Sequence, residues 1–407
     1  MKKILFIILL ALINYFLINA QNVDNSQKKF GECGTDAIHQ MLMQTDPVYR
    51  AGILSLEEQI QSILQNPSKL KLLPAVYTIP VVVHVIEDGV FNISDVTIQG
   101  AIDGLNARFK NIIDIEIEFC LALRDPDCNL TTGINRVDGT VVTDYATNGI
   151  YGSATVNPSG ASATAVKDLS IWPYTDYYNI WVVNNIGVFA GYASYPSVEN
   201  IYDGTVIVWD HMQYSSTTLT HEIGHGFFLY HTFEGDNNGD QCPPNAVCTV
   251  DGDKVCDTPP HRRDDCSGTN FCTGGSLSLV SANYMSYCPL TTEFVQGQKD
   301  RMRAAAIIAP RESLLSSQGC VGPVAPVSDL SATSICAGLT VNFQDMSANC
   351  PNKWIWSFPG GTPSSSTEQN PTVIYNASGT YSVSLTASYE TISGNKVTKA
   401  IVVYRPL

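Results

Sequence analysis

Positive charge is scarce in this sequence: 23 Lys and Arg stand against 38 Asp and Glu, giving a net charge of −15. A nucleic-acid partner requires a basic face, so the balance of charge argues against that class of function. Internal repeats and low-complexity tracts are also absent from the sequence, which argues against a solenoid or array fold. What is present, 44% hydrophobic and 15% charged residues over 407 positions, is typical of a globular protein of two or three domains.

Long apolar runs are absent except at the N-terminus, where two lysines precede an apolar segment from Ile4 to Ile18. This segment is too short for a transmembrane anchor, and Asn14 interrupts it. The pattern predicts a secretory signal peptide at residues 1–20. We therefore expect a secreted, extracellular protein without stable membrane insertion.

None of the 12 cysteines forms a pair with the two-residue gap of a zinc ribbon, so a structural cysteine–zinc site is not expected. Nine of them lie from Cys120 to Cys320. After a signal peptide, disulfides are the expected state of such residues. Near the C-terminus, Cys336 and Cys350 are predicted to pair with each other, although connectivity does not follow from sequence alone.

Composition and periodicity divide the rest of the chain. The predicted segments are a pro-region at 21–75, an α+β domain at 76–320, a linker at 321–327 and an all-β sandwich at 328–407. In the pro-region, residues 54–64 show the spacing of an amphipathic helix. In the α+β domain, strands are predicted at 77–85, 115–123, 178–184 and 205–209, with a helix at 94–110. His84 falls in the first of these buried strands and is interpreted as a core histidine.

The motif His221-Glu222-Ile223-Gly224-His225 carries the chemistry. Two histidines four residues apart on a helix lie about 40° apart around its axis, so both imidazoles can reach one zinc ion. Glu222 stands beside them as the candidate catalytic base, which takes a proton from the attacking water.

The third candidate ligand is His231, six residues after His225. On a continuing helix it would point about 240° away, so the helix must end and the chain must turn before it. A glutamate ligand is a weaker alternative, because Glu234 is too close and Glu293 lacks a helical setting.

The stretch HEIGHGFFLYH resembles the metzincin pattern H-E-x-x-H-x-x-G-x-x-H, except that Phe228 stands where the family has glycine. That glycine takes a left-handed conformation, which costs a residue with a side chain roughly 1 kcal/mol or more. The resemblance extends to Met285 in NYMSY, which would form the Met-turn beneath the metal. It also implies that Tyr287 stabilises the oxyanion.

Further phrases, including IPVVVHVI, GDKVCDTPP and CGTDAIHQ, resemble the pappalysin (cytophagalysin) group of metzincins over residues 33 to 300. This resemblance implies an extracellular endopeptidase with a mixed, roughly five-stranded sheet, an active-site helix and a calcium-stabilised, cysteine-rich loop region. It also implies an edge strand near residues 191–196 that binds extended substrate by strand addition. The calcium ligands it suggests are Asp251, Asp253, Asp257 and Thr258, for which solvated loop acids are the alternative.

Cys33 lies more than eighty residues from the next cysteine. In members of the family a pro-region cysteine can bind the zinc and maintain latency, because a thiolate displaces the catalytic water. A disulfide from Cys33 is the alternative. The family arrangement further suggests the disulfides Cys242–Cys272 and Cys266–Cys288.

The tail resembles a PKD domain in WIWSFPGG and NPTVIYNASGTYSVSL. Such modules imply a spacer or a weak binder of extracellular protein or polysaccharide. Two hypotheses follow for the whole chain: a zinc endopeptidase acting on protein or peptide substrates, and a degenerate protease fold used for adhesion. Phe228 favours the second hypothesis, whereas the intact Glu222 favours the first.

Overall fold

The computed structural model describes residues 32–66, 76–151, 156–196, 202–332 and 335–405. The expected signal peptide lies outside these residues, as do the first and last parts of the expected pro-region. Among the described helices, none is long and apolar enough to cross a membrane.

The N-terminal part of the described chain is built on one mixed sheet of seven strands. The strands are β1 (Glu32–Cys33), β2 (Tyr77–Glu87), β3 (Ile117–Leu121), β4 (Ile134–Asp138), β5 (Tyr178–Val183), β6 (Phe189–Ala193) and β7 (Thr205–Val208). Their order is β1-β6-β7-β5-β2-β3, and β4 also pairs with β2. β6 runs antiparallel to β7, whereas the other pairs in this sheet are parallel.

The sheet is the expected mixed one, with two strands more than the roughly five anticipated. One addition is β1, which comes from the pro-region and pairs with β6. The other is β4, which pairs with the second half of β2 while β3 pairs with the first half. Because β2 is buried along nearly its whole length, its sequence is a continuous apolar run of the kind found in parallel sheets.

Eight helices occur in the described part of this domain, of which Asp95–Lys110 and Thr218–Gly226 pack directly against the sheet. They are α1 (Thr35–Thr45), α2 (Pro47–Leu64), α3 (Asp95–Lys110), α4 (Tyr145–Asn148), α5 (Ala163–Lys167), α6 (Thr218–Gly226), α7 (Ser278–Ser281) and α8 (Gln296–Ala306). Short 3-10 turns occur at Gly139–Val141, Trp209–His211 and Arg311–Ser316. α3 begins at Ser94, whose hydroxyl accepts a hydrogen bond from the Thr97 amide, and its apolar positions pack in the main core.

The segment expected to be a pro-region contains two helices where the sequence predicted one. α2 begins at Pro47, seven residues earlier than expected, because Asp46 caps it by accepting hydrogen bonds from the amides of Val48 and Tyr49. α1 precedes it without a side-chain cap at its N-terminus. The buried face of α2 consists of Tyr49, Ile53, Leu56, Ile60 and Ile63.

The tail is the predicted sandwich of two sheets. The first contains β13 (Thr372–Ile374), β10 (Thr340–Asp345) and β8 (Leu330–Ala332). The second contains β12 (Ser365–Ser366), β11 (Lys353–Ser357), β14 (Gly379–Tyr389), β15 (Ile392–Tyr404) and β9 (Ile335–Cys336). Trp356 and Tyr375 lie in the core between the sheets, as expected.

Five disulfides cross-link the described chain: Cys120–Cys320, Cys128–Cys350, Cys242–Cys272, Cys248–Cys256 and Cys266–Cys288. The two pairs suggested by the family arrangement are present. The predicted pair Cys336–Cys350 is wrong: Cys350 lies beside the loop after β3 and bonds to Cys128, whereas Cys336 stays unpaired on β9. The tail is therefore covalently linked to the larger domain at a second point besides the linker.

Candidate metal centre and cleft

Helix α6 carries the first two histidines and is buried from Leu219 to Gly226. Two glycines permit this close packing. A side chain at Gly224 would meet the sulfur of Met285 at 2.4 Å, and one at Gly226 would meet the hydroxyl of Tyr178 at 2.0 Å. Met285 is fully buried, and its sulfur packs against Gly224 of this helix; its role as a Met-turn stays a prediction.

The helix ends as predicted, in a turn at Phe228. The amide of Phe228 donates to the carbonyl of His225 at 2.8 Å, and that of Leu229 donates to the carbonyl of Gly224 at 3.0 Å. This pair of bonds is a Schellman motif, with Phe228 in the left-handed position at φ 68°. Phe228 thus takes the backbone conformation that the family pattern assigns to glycine, and the turn brings His231 back toward the helix.

The three histidines converge. The Nε2 atoms of His221, His225 and His231 lie 3.1–3.2 Å from one another. Ligand nitrogens around a tetrahedral zinc with Zn–N bonds of 2.0–2.1 Å are separated by about 3.3 Å. The observed spacing therefore fits a single zinc ion.

The other nitrogen of each ring is committed to a hydrogen bond. Nδ1 of His221 donates to the carbonyl of Tyr284 and Nδ1 of His225 to the carbonyl of Leu229, each at 2.7 Å, while Nδ1 of His231 lies 2.9 Å from Oδ2 of Asp36. These bonds leave three Nε2 lone pairs pointing at one another in a buried space, an arrangement that a cation would satisfy. Burial, with His231 nearby, lowers the pKa of His221 to about 3, and burial also lowers that of His225, so both rings are neutral ligands at pH 7.

Glu222 is buried beside the histidines, and burial raises the pKa of its carboxyl group to about 8. Two pro-region groups contact it: the thiol of Cys33 and the hydroxyl of Thr35 each lie 3.3 Å from Oε2. Cys33 Sγ also lies within 4.8 Å of the converging histidine nitrogens. Burial and the neighbouring Glu222 raise the pKa of this thiol, whereas a bound cation would favour its thiolate.

Tyr287 follows the Met-turn and lines the cleft together with Cys33 and Glu222. Its ring centre lies 4.9 Å from that of His231, and its hydroxyl donates to the carbonyl of Cys33 at 3.3 Å. Burial raises the pKa of this phenol, so it is a hydrogen-bond donor at neutral pH.

The predicted edge strand near 191–196 is β6, which begins and ends slightly earlier, at Phe189–Ala193. Its free edge is covered by β1, and the amide of Gly34 donates to the carbonyl of Gly191 at 2.8 Å. β1 runs parallel to β6. Its chain direction is therefore opposite to that of a strand that would pair antiparallel with the same edge of β6.

The predicted calcium ligands are only partly brought together. The hydroxyl of Thr258 donates to Asp253 at 2.7 Å. Asp251 and Asp257 instead accept hydrogen bonds from the amides of Val247 and Gly297. Over the described residues, no three of these carboxylates lie within 4.8 Å of one another. Asp253 is buried, which raises its pKa to about 7.

The structure adds two residues that sequence reasoning missed. Asp36 reaches His231 from the pro-region, and its only signal in the sequence was its place in the CGTDAIHQ phrase. Arg301 on α8 donates from Nε to the carbonyl of Phe228 at 2.8 Å and so supports the left-handed turn. His84 is a core histidine as predicted, bonded to Ser170 and Asn179.

Two parts of the chain are similar in sequence to known protein families. Residues 161–307 match a peptidase M43 family model described as pregnancy-associated plasma protein-A, and residues 323–403 match a PKD domain model. An extracellular metalloprotease of Sordaria macrospora is 32% identical over 203 residues, covering 42% of this chain and 66% of the relative. Extracellular metalloprotease 1 of Coccidioides posadasii is 30% identical, covering 39% and 63%. The chain therefore spans less than two thirds of the length of these relatives.

Among solved structures, a Tannerella forsythia promirolysin mutant is similar with a TM-score of 0.52 and 27% identity. The match covers 70% of this chain and 96% of that one.

Phe228 allows a test of which force dominates at the turn. Phe228→Gly relieves roughly 1–2 kcal/mol of backbone strain. It also removes a fully buried ring, which costs about 3–5 kcal/mol. We expect a net loss of about 2 kcal/mol in the free energy of unfolding, measured by urea denaturation. Phe228→Leu, which keeps an apolar side chain, should lose less, and a gain in stability for Phe228→Gly would show that strain dominates instead.

Proposed function

We propose that this chain is a secreted zinc-dependent endopeptidase made in a latent form. The matches of residues 161–307 to the peptidase M43 family model and of residues 323–403 to the PKD domain model support the proposal. The observation that carries the proposal is the convergence of three Nε2 atoms whose rings are each held through Nδ1. A site with three protein ligands leaves a fourth position open, which is typical of catalytic zinc.

His221, His225 and His231 would hold the ion. When bound, zinc supplies Lewis-acid chemistry for the scissile carbonyl and acidifies the attacking water. Glu222 takes the proton of that water and passes it to the leaving amine. Tyr287 donates a hydrogen bond to the oxyanion once its hydroxyl is released from Cys33.

Substrate binds in the cleft as an extended strand on β6. The edge that β1 occupies has the backbone donors and acceptors that an added strand requires. The substrates are proteins or peptides. The PKD-like tail is proposed to bind extracellular protein or polysaccharide, and export through the N-terminal leader delivers the enzyme outside the cell.

Latency is assigned to Cys33. Its sulfur lies within 4.8 Å of the three histidine nitrogens and 3.3 Å from Oε2 of Glu222, which supports a role as a fourth zinc ligand that also covers the base. The alternative of a disulfide finds no support, because Cys33 is unpaired. Two functions of the cleft, metal activation of water and proton transfer by Glu222, are therefore blocked by a single side chain.

The adhesion hypothesis drew on Phe228. The turn forms with phenylalanine in the left-handed position, and His231 still reaches the other two histidines. This observation removes the main argument against catalysis, so no second function is proposed.

Casein cleavage tests the central proposal. Processed protein without its leader should cleave denatured casein, and Glu222→Ala should lower the rate by about a hundredfold to ten-thousandfold, since the general base is lost. A zinc chelator should abolish cleavage. Metal analysis should find one zinc per chain in the unmodified protein and in Glu222→Ala. Zinc-loaded protein that leaves casein intact after its pro-region has been cut and removed would contradict the proposal.

The role of Cys33 is tested with the unprocessed protein. Cys33→Ala removes the sulfur from the zinc and from Glu222, so the uncut chain should cleave a short fluorogenic peptide that the unmodified proform ignores. Cys336→Ala, which changes the other unpaired cysteine, serves as the control and should stay latent. Equal latency in both variants would exclude the switch.

A calcium site at Asp253 is also proposed, because this buried carboxyl group has its charged form disfavoured until a cation is near. Scanning calorimetry of zinc-loaded protein should show a higher melting temperature in calcium. The shift should vanish in Asp253→Asn and persist in Asp103→Asn, which changes an exposed acid on α3. No calcium effect on the unmodified protein would end this proposal.

A further inference from the structure

Helix α2 of the pro-region lies on an apolar surface that is separate from the cleft. Its five buried side chains pack against one cluster on the catalytic domain. We call that cluster the α2-binding surface; it consists of Tyr195, Phe228, Tyr230, Ala304, Ala305 and Ile308. None of these residues lines the cleft that contains His221 and Glu222, although the ring of Tyr195 packs edge-on against His225.

A charged anchor lies at the centre of this contact. The guanidinium of Arg301 donates two hydrogen bonds to the carboxylate of Glu57 on α2, from Nη1 at 3.0 Å and from Nη2 at 2.5 Å. Lys254 Nζ lies 3.1 Å from the same carboxylate. The Arg301 side chain is fully buried, so its charge depends on this partner.

Two aromatic rings also contact the guanidinium of Arg301. Its central carbon lies 5.2 Å from the ring centre of Phe228 and 5.1 Å from that of Tyr230. With Nε bonded to the Phe228 carbonyl, the two remaining nitrogens are aimed at α2. A planar fork fixed in this way is suited to bidentate capture of a carboxylate.

Removal of the pro-region would leave the Arg301 guanidinium, and the rings of Phe228 and Tyr230 beside it, without the carboxylate of Glu57. Departure of α2 would break the two charge-assisted hydrogen bonds of Arg301 and expose the apolar α2-binding surface to water, so it is opposed even when the chain has been cut. The side chain of Gln61 adds a further bond, donated to the carbonyl of Thr249 at 2.8 Å. α2 therefore has attachments that do not involve the zinc end of the pro-region.

We propose that the α2-binding surface is a specific site for the excised pro-region, which stays bound through α2 after the connecting chain is hydrolysed. The inference depends on the proposed function in one respect, namely that the pro-region is removed. Hydrolysis adds one water across a peptide bond of the connecting chain and leaves a new carboxylate and a new amine. Activation then has two steps, cleavage of the chain and dissociation of the fragment.

The experiment uses the full chain without its leader, with a site for a sequence-specific protease introduced at residues 67–75. Glu222→Ala excludes self-cleavage, and Cys33→Ser weakens the zinc end. After the added protease has cut the chain, gel filtration and native mass spectrometry should find the fragment still bound. Separation on cutting in Cys33→Ser protein, with retention when Cys33 is intact, would show that the zinc end alone holds the fragment and would overturn the proposal.

Two neighbouring acids provide a matched pair. Labelled peptides of residues 32–66 with Cys33→Ser are titrated into cut protein from which the fragment has been stripped. Glu57→Gln should raise the dissociation constant roughly tenfold or more, because a charge-assisted bidentate pair is lost. Glu58→Gln, on the exposed side of α2, should change it by less than about twofold. Equal affinities for the two peptides would overturn the proposal.

The readout is binding, so this proposal and the proposed protease function can fail separately. Fragment retention, followed by no casein cleavage once the fragment has been stripped from zinc-loaded protein with Glu222 intact, would contradict only the enzyme assignment. Full casein cleavage immediately after cutting, with the fragment released, would contradict only the retention of the pro-region.

Discussion

The structure depends on one constraint: three imidazole nitrogens must meet at one point although their residues span eleven positions of a single chain segment. A helix can supply two of them and no more. The third requires that the helix end one residue after His225 and that the chain reverse within a single left-handed residue. Much of the surrounding packing serves this reversal, from the two glycines of α6 to the buried Met285 beneath it.

Phe228 makes the reversal costly for the backbone and recovers the cost through burial. Its ring packs edge-on against Tyr195, and the guanidinium of Arg301 lies over it while bonding to its carbonyl. A glycine would relax the backbone but leave this space empty. The aromatic side chain therefore links the ligand turn to α8, and through Arg301 to the pro-region, in a way that the family glycine could not.

Local sequence patterns were sufficient to predict much of the fold and of the candidate site. The four-residue spacing of His221 and His225, the need for a turn before His231, and the apolar run of β2 all identify structure from a few neighbouring residues. The contacts that were missed join distant parts of the chain: Asp36 with His231, Glu57 with Arg301, and Cys128 with Cys350. Their sequence separations of 195, 244 and 222 residues leave no periodicity to detect, because such contacts follow from the packing of complete elements. The grouping of Cys350 with the nearer Cys336 failed for the same reason.

The bridge between Cys128 and Cys350 has a mechanical meaning for the tail. Around it, the amide of Leu130 donates to the hydroxyl of Tyr389 and Arg124 donates to the carbonyl of Gly322, so the contact is broader than one bond. A domain joined only by a linker samples many orientations relative to its neighbour. A domain fixed at two points samples far fewer orientations. Any surface that the tail were to bind would therefore be held at a set distance from the cleft and on one side of it.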